Sequence, residues 1–304
     1  VGGLKQSWPF LMALKIKSLN LRRYDSIILN DIGAAFIWGV FFKNSKYTNK
    51  TISYLHGGEV KTILQNQKGY LKLFNFKPRY EKLLQNCKAI VSVSHYMKEY
   101  FLNNFDGELD KDKIKIAYAG VDDSIFKPVE QNIKEQYNLS QDNYIITSVG
   151  RITKDKGYPD MLEIFTKLYQ TDKNFIWMII GSGLYEEELK AEVKKRSLDK
   201  NIVFIGRVPR EGLASFYSTS LLLLLLFREA ESFGLVYVEA QMCGCPAVGT
   251  AKYGILEAIE NGKSGFLVKT QGEALELLLN KKYLELKKED ILEFANKFSL
   301  NEQV

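Results

Sequence analysis

The feature that most constrains this chain is the alternation, along its whole length, of short apolar runs with stretches of helical periodicity. The runs are four to six residues long and are bounded by turn residues, which is typical of buried strands. Strands that alternate with helices form parallel sheets covered on both faces. The sequence therefore predicts an α/β protein with strands at Ser26–Leu29, Thr51–Leu55, Ala89–Val93, Lys115–Tyr118, Tyr144–Val149, Phe175–Ile180, Ile202–Ile205, Leu221–Leu226, Pro246–Gly249 and Gly265–Val268.

Helices are predicted between most of these strands. The clearest are Leu4–Leu19, Tyr96–Asn103, Pro159–Gln170, Glu186–Arg196, Glu211–Tyr217, Phe233–Met242, Ile255–Ile259 and Gly272–Leu279.

The length of 304 residues corresponds to two domains of about 150 residues. The polar stretch 129–142, which follows Phe126-Lys127-Pro128, separates two series of alternating strands and helices. We predict two Rossmann-like domains, residues 1–125 and 126–304, whose parallel sheets face each other across a cleft. Ligands of such sheets bind outside the carboxyl ends of the strands, so the functional residues are expected there.

Composition excludes several classes of protein. The longest strongly apolar run, Leu221–Phe227, has seven residues, whereas a membrane-spanning helix needs about 20. The thiols Cys87, Cys243 and Cys245 are not at metal-ligand spacing, and the chain has only two His, so no metal site is expected. Unpaired thiols indicate a reducing compartment, and we expect a cytoplasmic protein.

Positive charge is concentrated at the front of the chain. Residues 1–80 contain 13 Lys and Arg against three acidic residues, a net charge of +10, whereas the remaining residues carry −4. The segment here called the basic aromatic segment interleaves cations with aromatic rings at Tyr70, Lys72, Phe74, Phe76, Lys77 and Arg79. Anionic lipid attracts such surfaces, so a peripheral membrane contact is predicted. The alternative is a solvated helix whose aromatic rings face the core. Nucleic acid is not an expected partner, because no binding motif accompanies the charge.

A cationic loop follows the strand that ends at Val149. It reads Gly150-Arg151-Ile152-Thr153-Lys154-Asp155-Lys156-Gly157 and leads into a helix. Cations beside a helix N-terminus are suited to binding a phosphate. A solvated surface loop is the alternative.

A second loop follows the Leu-rich strand and carries two carboxylates, Glu231 and Glu239, eight positions apart. If Glu231 lies in the strand-to-helix turn, the amides of Phe233, Gly234 and Leu235 begin the helix and can donate to a sugar hydroxyl or a phosphate. Glu239 is then predicted about two turns further along, on a neighbouring face. Both carboxylates can accept hydrogen bonds from sugar hydroxyls, and two exposed surface glutamates are the alternative.

These segments occur in an order that resembles the retaining, GT-B-fold glycosyltransferases of family 4. The resemblance runs from about Thr51 to Leu300. It comprises the motifs Tyr54-Leu55-His56-Gly57-Gly58-Glu59, Gly120-Val121-Asp122, Gly150-Arg151 with Lys156-Gly157, Gly181-Ser182-Gly183, Phe204-Ile205-Gly206-Arg207-Val208, the Glu231 and Glu239 pair, and Cys243-Gly244-Cys245-Pro246.

The resemblance implies a transferase that moves a sugar from a nucleotide-sugar, expected to be a UDP-sugar, to a glycan or lipid-linked acceptor without a metal ion. Domain 1–125 is then the acceptor side and domain 126–304 the donor side. Four residues would serve catalysis: Arg151 and Lys156 would neutralise the diphosphate, Glu231 would hold the transferred sugar, and His56 would reach toward it. The remaining donor contacts would come from Gly150, Gly183, Arg207, Val208, Phe233, Gly234, Leu235 and, at the ribose, Glu239.

The chain also departs from the family pattern. Phe227-Arg228 replaces the usual Pro-Ser before the first glutamate. The family begins with a unit of strand, Gly-rich turn and helix, and no such complete unit precedes the strand at Ser26. Phe298-Ser299-Leu300 resembles a point just before the family's final helices, so a chain cut at both ends is expected. Two other functions therefore stay open, a GT-B-like sugar-nucleotide epimerase and a non-catalytic remnant that binds nucleotide-sugars.

Overall fold

The computed structural model describes residues 3–131 and 133–301. Two compact units divide between Tyr118 and Ala119, and we call them the N-terminal and the C-terminal unit. The predicted boundary at 125/126 lies a few residues later. The stretch between belongs to the C-terminal unit because the Val121 amide donates to the Phe298 carbonyl oxygen at 2.8 Å.

The N-terminal unit is built on a four-stranded parallel sheet in the order β1-β2-β3-β4, with Ile27 of the first strand opposite Thr51 of the second. Its strands are β1 (Ile27–Leu29), β2 (Thr51–Leu55), β3 (Ala89–Ser92) and β4 (Ile114–Ile116). Its helices are α1 (Gly3–Lys17), α2 (Ile32–Phe41), α3 (Gly69–Leu73), α4 (Phe76–Asn86) and α5 (His95–Leu102), and a π-helical turn covers Val60–Gln65.

The C-terminal unit has a six-stranded parallel sheet in the order β10-β9-β8-β5-β6-β7. Its strands are β5 (Tyr144–Val149), β6 (Phe175–Ile180), β7 (Ile202–Gly206), β8 (Leu222–Leu225), β9 (Ala247–Thr250) and β10 (Gly265–Val268). Its helices are α6 (Ile133–Gln136), α7 (Tyr158–Thr171), α8 (Glu186–Lys195), α9 (Leu213–Thr219), α10 (Leu235–Met242), α11 (Ile255–Ala258), α12 (Gln271–Leu279) and α13 (Lys288–Asn296).

The strand order of the C-terminal unit reverses once. The chain runs from β5 outward to β7 and then returns to place β8 on the other side of β5. Loops that leave β5 and β8 at their carboxyl ends therefore diverge, and the space between them is where open α/β sheets bind ligands. This switch point positions the candidate site.

All ten predicted strands are present, four of them with the predicted bounds and the other six with ends that shift by one or two residues. Helix α2 was not predicted. Five consecutive residues, 35–39, are buried, so this helix has no polar face from which a helical period could be read. Within the described ranges, every helix is too short or too polar to cross a bilayer.

Candidate active site

Lys156 and Glu231 meet at the switch point of the C-terminal sheet. Lys156 ends a 3₁₀ turn in the loop after β5, and Glu231 lies in the loop after β8. Their Nζ and Oε2 atoms are 2.9 Å apart, and the two side chains are only 17% and 22% exposed. The ammonium group also lies 4.0 Å from the centre of the Phe227 ring. Two residues that the sequence assigned to one pocket are therefore in direct contact.

Close packing of the β5 loop against the end of β8 explains this contact. Gly157 has φ +79°, and a Cβ atom at this position would lie 1.7 Å from the Leu226 carbonyl oxygen. Only glycine combines that backbone conformation with such an approach. The loop is thereby held against the segment that carries Glu231.

Arg228 provides a second link between the same two loops. Its guanidinium group donates to both carboxylate oxygens of Asp160, with Nε–Oδ2 and Nη2–Oδ1 distances of 2.6 Å, and its amide donates to the Asp155 carbonyl oxygen at 2.8 Å. Asp160 belongs to the first turn of α7, directly after the Lys156 loop. The sequence showed Arg228 only as a departure from the family pattern, and its partner could not be read from spacing.

Glu239 lies in α10 and contacts a different set of residues. The Tyr217 hydroxyl donates to its Oε2 at 3.4 Å, and Arg210 Nη2 lies 3.8 Å from its Oε1. Its side chain is 14% exposed. Burial raises the pKa of this carboxyl above its ordinary value, while Arg210 and the Tyr217 hydrogen bond oppose the shift. Sequence reasoning missed both Arg210 and Tyr217.

The start of α10 differs from the prediction. The helix begins at Leu235 rather than Phe233, because Gly234, with φ +93°, leaves the helical conformation. Glu231 lies in the strand-to-helix turn, as expected, whereas Glu239 is only about one turn into the helix and not two. The Leu235 amide belongs to the first turn as expected, whereas the Phe233 ring is buried against Phe298, with 5.2 Å between ring centres.

The other predicted donor contacts lie around the same edge of the sheet. Arg151 is exposed in the β5 loop, and its guanidinium group forms no ion pair with another described residue. The Gly150 amide donates to the Ile180 carbonyl oxygen at 2.9 Å. Gly183 packs on the β5 loop itself, since an added Cβ would lie 2.3 Å from the Ile152 carbonyl oxygen. This packing by itself requires glycine at position 183, whether or not a nucleotide binds there.

Two further predicted residues follow β7. Arg207 is exposed, and its Nε donates to Ser182 Oγ at 2.7 Å. This bond links the loop after β7 to the loop after β6. Val208 is half-buried and lines a separate cavity of about 200 Å³ with residues that include Tyr137 and Phe216.

His56 lies in the N-terminal unit, at the carboxyl end of β2. Its ring is exposed, stacks on Tyr54 with 5.7 Å between ring centres, and has Nε2 3.2 Å from Asn30 Oδ1. His56 therefore lies on the surface of its unit and not in the core. The turn that carries it is held by Glu59, which is 3% exposed and accepts the amides of His56 and Gly57 at 3.1 and 2.8 Å. Asn30 and Glu59 are partners that the sequence did not identify.

The basic aromatic segment is only partly on the surface. Phe76 was predicted to contact a membrane, but it is wholly buried because its ring packs on Phe36 and Tyr80. Lys77 pairs with Asp106 at 2.6 Å, and Arg79 Nε donates to the Phe74 carbonyl oxygen at 3.0 Å. Tyr70 and Lys72 are exposed. The alternative prediction, aromatic rings facing the core, is confirmed for Phe76.

Two parallel-sheet α/β units, one with cationic and acidic side chains at its switch point, are the architecture of the GT-B glycosyltransferases. A family model described as "Glycosyl transferases group 1" matches residues 129–298, and a model described as "Glycosyltransferase Family 4" matches residues 2–125. The chain belongs to this glycosyltransferase family, as its motifs predicted.

Curated relatives agree with this assignment. The chain is 29% identical to N-acetyl-alpha-D-glucosaminyl L-malate synthase of Bacillus anthracis over 72% of its length, and it spans 54% of that enzyme. It is 28% identical to an uncharacterised 41.2 kDa protein in the cps region of Klebsiella pneumoniae, over 97% of this chain and 80% of that protein. Thus the chain covers about half of the first enzyme and most of the second protein.

Solved structures share the fold at low sequence identity. Sucrose-phosphate synthase from Thermosynechococcus elongatus is 19% identical, with a TM-score of 0.79 over 97% of this chain and 74% of that one. Anabaena HepE in complex with UDP and glucose is 18% identical, with a TM-score of 0.76 over 96% of this chain and 79% of that one. These likenesses establish the GT-B fold.

Proposed function

We propose that this protein is a retaining glycosyltransferase that moves a sugar from a nucleotide-sugar to a polysaccharide or glycolipid acceptor. The observation that carries the proposal is the contact between Lys156 and Glu231 at the switch point. A cation suited to a diphosphate there adjoins a carboxylate suited to sugar hydroxyls. In a nucleotide-sugar the diphosphate is bonded directly to the sugar, so one donor molecule can contact both residues.

The remaining donor contacts are proposed from the resemblance to the family. Arg151 extends the cationic loop for the diphosphate, and Glu239 accepts from the ribose. Arg207 and Val208 flank the base. UDP is the proposed nucleotide because the similarly folded HepE has been solved with UDP-glucose. No metal ion is included, since two cations serve the diphosphate.

The chemical step breaks the bond between the anomeric carbon and the diphosphate oxygen. The acceptor hydroxyl attacks the same face of the sugar and forms the new glycosidic bond, and its proton passes to the leaving diphosphate. Charge develops on the diphosphate in this step, so fixed cations lower the barrier. Glu231 holds the sugar hydroxyls during transfer, and His56 is proposed to contact the sugar from the N-terminal unit.

A surface glycan is the proposed acceptor. Support comes from the capsular polysaccharide biosynthesis glycosyltransferase CapM of Staphylococcus aureus, which is 27% identical over 66% of this chain and 54% of that protein. The proposed place of action is the cytoplasm, at the inner face of a membrane, where the basic front of the chain meets anionic lipid.

The test is incubation of the protein with UDP-, GDP- and ADP-sugars, with and without a lipid-linked glycan acceptor. Release of nucleoside diphosphate together with a glycoside of unchanged anomeric configuration, seen by NMR, is the expected result. A 2-epimer of the sugar would instead identify an epimerase. Nucleotide binding without either product would identify a non-catalytic binding protein. Lys156→Met should lower the rate by about a hundredfold, whereas Lys167→Met, which changes an exposed lysine of α7, should leave the rate unchanged.

A further inference from the structure

A groove of about 780 Å³ runs along helix α4 of the N-terminal unit. Its walls are α4 and the loop between α2 and β2, which ends at the amino end of β2. His56 and Asn30, at the carboxyl ends of the strands, do not line it. The groove is therefore separate from His56, the residue of this unit that is proposed to contact the donor sugar.

The charge of this groove has one sign. Four cations line it, Lys43, Lys46, Arg79 and Lys82, and no carboxylate is among its lining residues. Helix α4 contributes Arg79 and Lys82 because residues three and four positions apart share a helix face. Asn49, Asn75 and Asn86 add side-chain amides. Cations and amide donors without a counter-charge are the groups that bind phosphate oxygens.

The cations are also available to a ligand. Lys43 and Lys82 are exposed, and neither side chain forms an ion pair with another described residue. The Arg79 guanidinium is oriented by one hydrogen bond, from its Nε to the Phe74 carbonyl oxygen, which leaves its terminal nitrogens for other acceptors. Lys77, one residue outside the groove lining, is by contrast neutralised by Asp106.

We infer that this groove binds the phosphate groups of a multivalent anionic ligand. The shared chemistry is the phosphate oxygen, whether it belongs to a free phosphorylated molecule or to the headgroups of an anionic lipid surface. Positive charge clustered in a groove that no carboxylate lines is unfavourable for the empty protein, and a phosphate relieves that repulsion.

The experiment uses the full chain with two probes. Pyrophosphate tests a free ligand by titration calorimetry, and vesicles with about one-third phosphatidylglycerol in phosphatidylcholine test a lipid surface by sedimentation. Hydrogen exchange locates the contact, since the Lys156 loop can also bind pyrophosphate. Protection of residues 43–50 and 75–86 by either probe is expected.

The matched variants remove equal charge from inside and outside the groove. Lys43→Gln with Lys82→Gln should weaken binding to the groove by about tenfold or more, because the phosphate ligand loses one charge-assisted hydrogen bond at each position. Lys111→Gln with Lys115→Gln changes two exposed lysines of the same unit that lie outside the basic front of the chain and do not line the groove, and it should leave binding unchanged. Circular dichroism verifies that both proteins fold.

Protection by pyrophosphate assigns a soluble ligand, and protection by anionic vesicles alone assigns a lipid headgroup. The inference is overturned if neither probe protects the groove, or if both double variants bind like the wild type. Lys156 is intact in all of these proteins, so donor cleavage reports on the proposed function separately.

Discussion

Replacement of Lys156 by Met tests the reasoning about the site most directly. The ammonium group lies 2.9 Å from the Glu231 carboxylate and 4.0 Å from the Phe227 ring centre, so its position is fixed before a donor arrives. Removal of one preorganised group that stabilises developing charge costs about a hundredfold in rate. This corresponds to about 2.7 kcal/mol in the activation free energy. Steady-state release of nucleoside diphosphate measures the effect.

The same substitution also leaves Glu231 without its cation. A partly buried carboxylate that loses its partner destabilises the protein by about 1 kcal/mol. For a unit of this size the melting temperature then falls by about 2 to 4 °C. The double variant Lys156→Met with Glu231→Gln should recover this stability but not the lost rate. A single variant that keeps its rate within about threefold of the wild type would refute the proposed role.

Three further results are expected. Glu239→Gln should weaken UDP binding by about tenfold or more. Burial raises the pKa of Glu239 above its ordinary value of 4.5, so the stability of the folded protein falls as the pH rises above that value, and melting curves should show a smaller fall in the variant. Gly157→Ala should lower the free energy of unfolding, measured in urea, by about 3 kcal/mol or more, because its Cβ would meet the Leu226 carbonyl oxygen. Gly262 has the same φ of +79° but open space around it, so Gly262→Ala should cost only about 1 kcal/mol. Arg228→Lys cannot keep the bidentate bond to its aspartate and should slow donor cleavage severalfold while lowering stability by less than about 1 kcal/mol.

Each of these expectations has an outcome that contradicts it. Equal pH dependence in wild type and Glu239→Gln would mean that the buried carboxyl does not keep its proton more tightly on folding. Equal losses at the two glycines would mean that backbone conformation alone, and not the approach to β8, sets the cost. A wild-type turnover rate in Arg228→Lys would show that the bond between Arg228 and Asp160 does not contribute to donor cleavage.

The strands could be predicted because buried parallel strands have continuous apolar sequences. All six residues of Phe175–Ile180 are buried, and the run is apolar throughout. Helix α2 could not be predicted for the same reason, since burial on every side removes the helical period. The start of α10 was missed because Gly234 leaves the helical conformation, which a count of apolar residues does not reveal.

The charged residues of the site were predictable as types and only partly as partners. Lys156 and Glu231 each follow a strand, and the carboxyl ends of β5 and β8 are neighbours in the sheet, so their contact follows from topology. The partners of Glu239 come from the segment around α9, and no spacing rule connects Arg210 or Tyr217 to it. These contacts depend on how helices pack, which is decided by shape in three dimensions.

The buried Glu59 links the core of the N-terminal unit to the exposed ring of His56. One hidden carboxylate fixes the two peptide groups from which the imidazole of His56 projects. The orientation of that ring therefore depends on a residue in the core. A substitution at the buried Glu59 is therefore expected to change the orientation of His56, the residue proposed to contact the sugar, although Glu59 itself is not exposed.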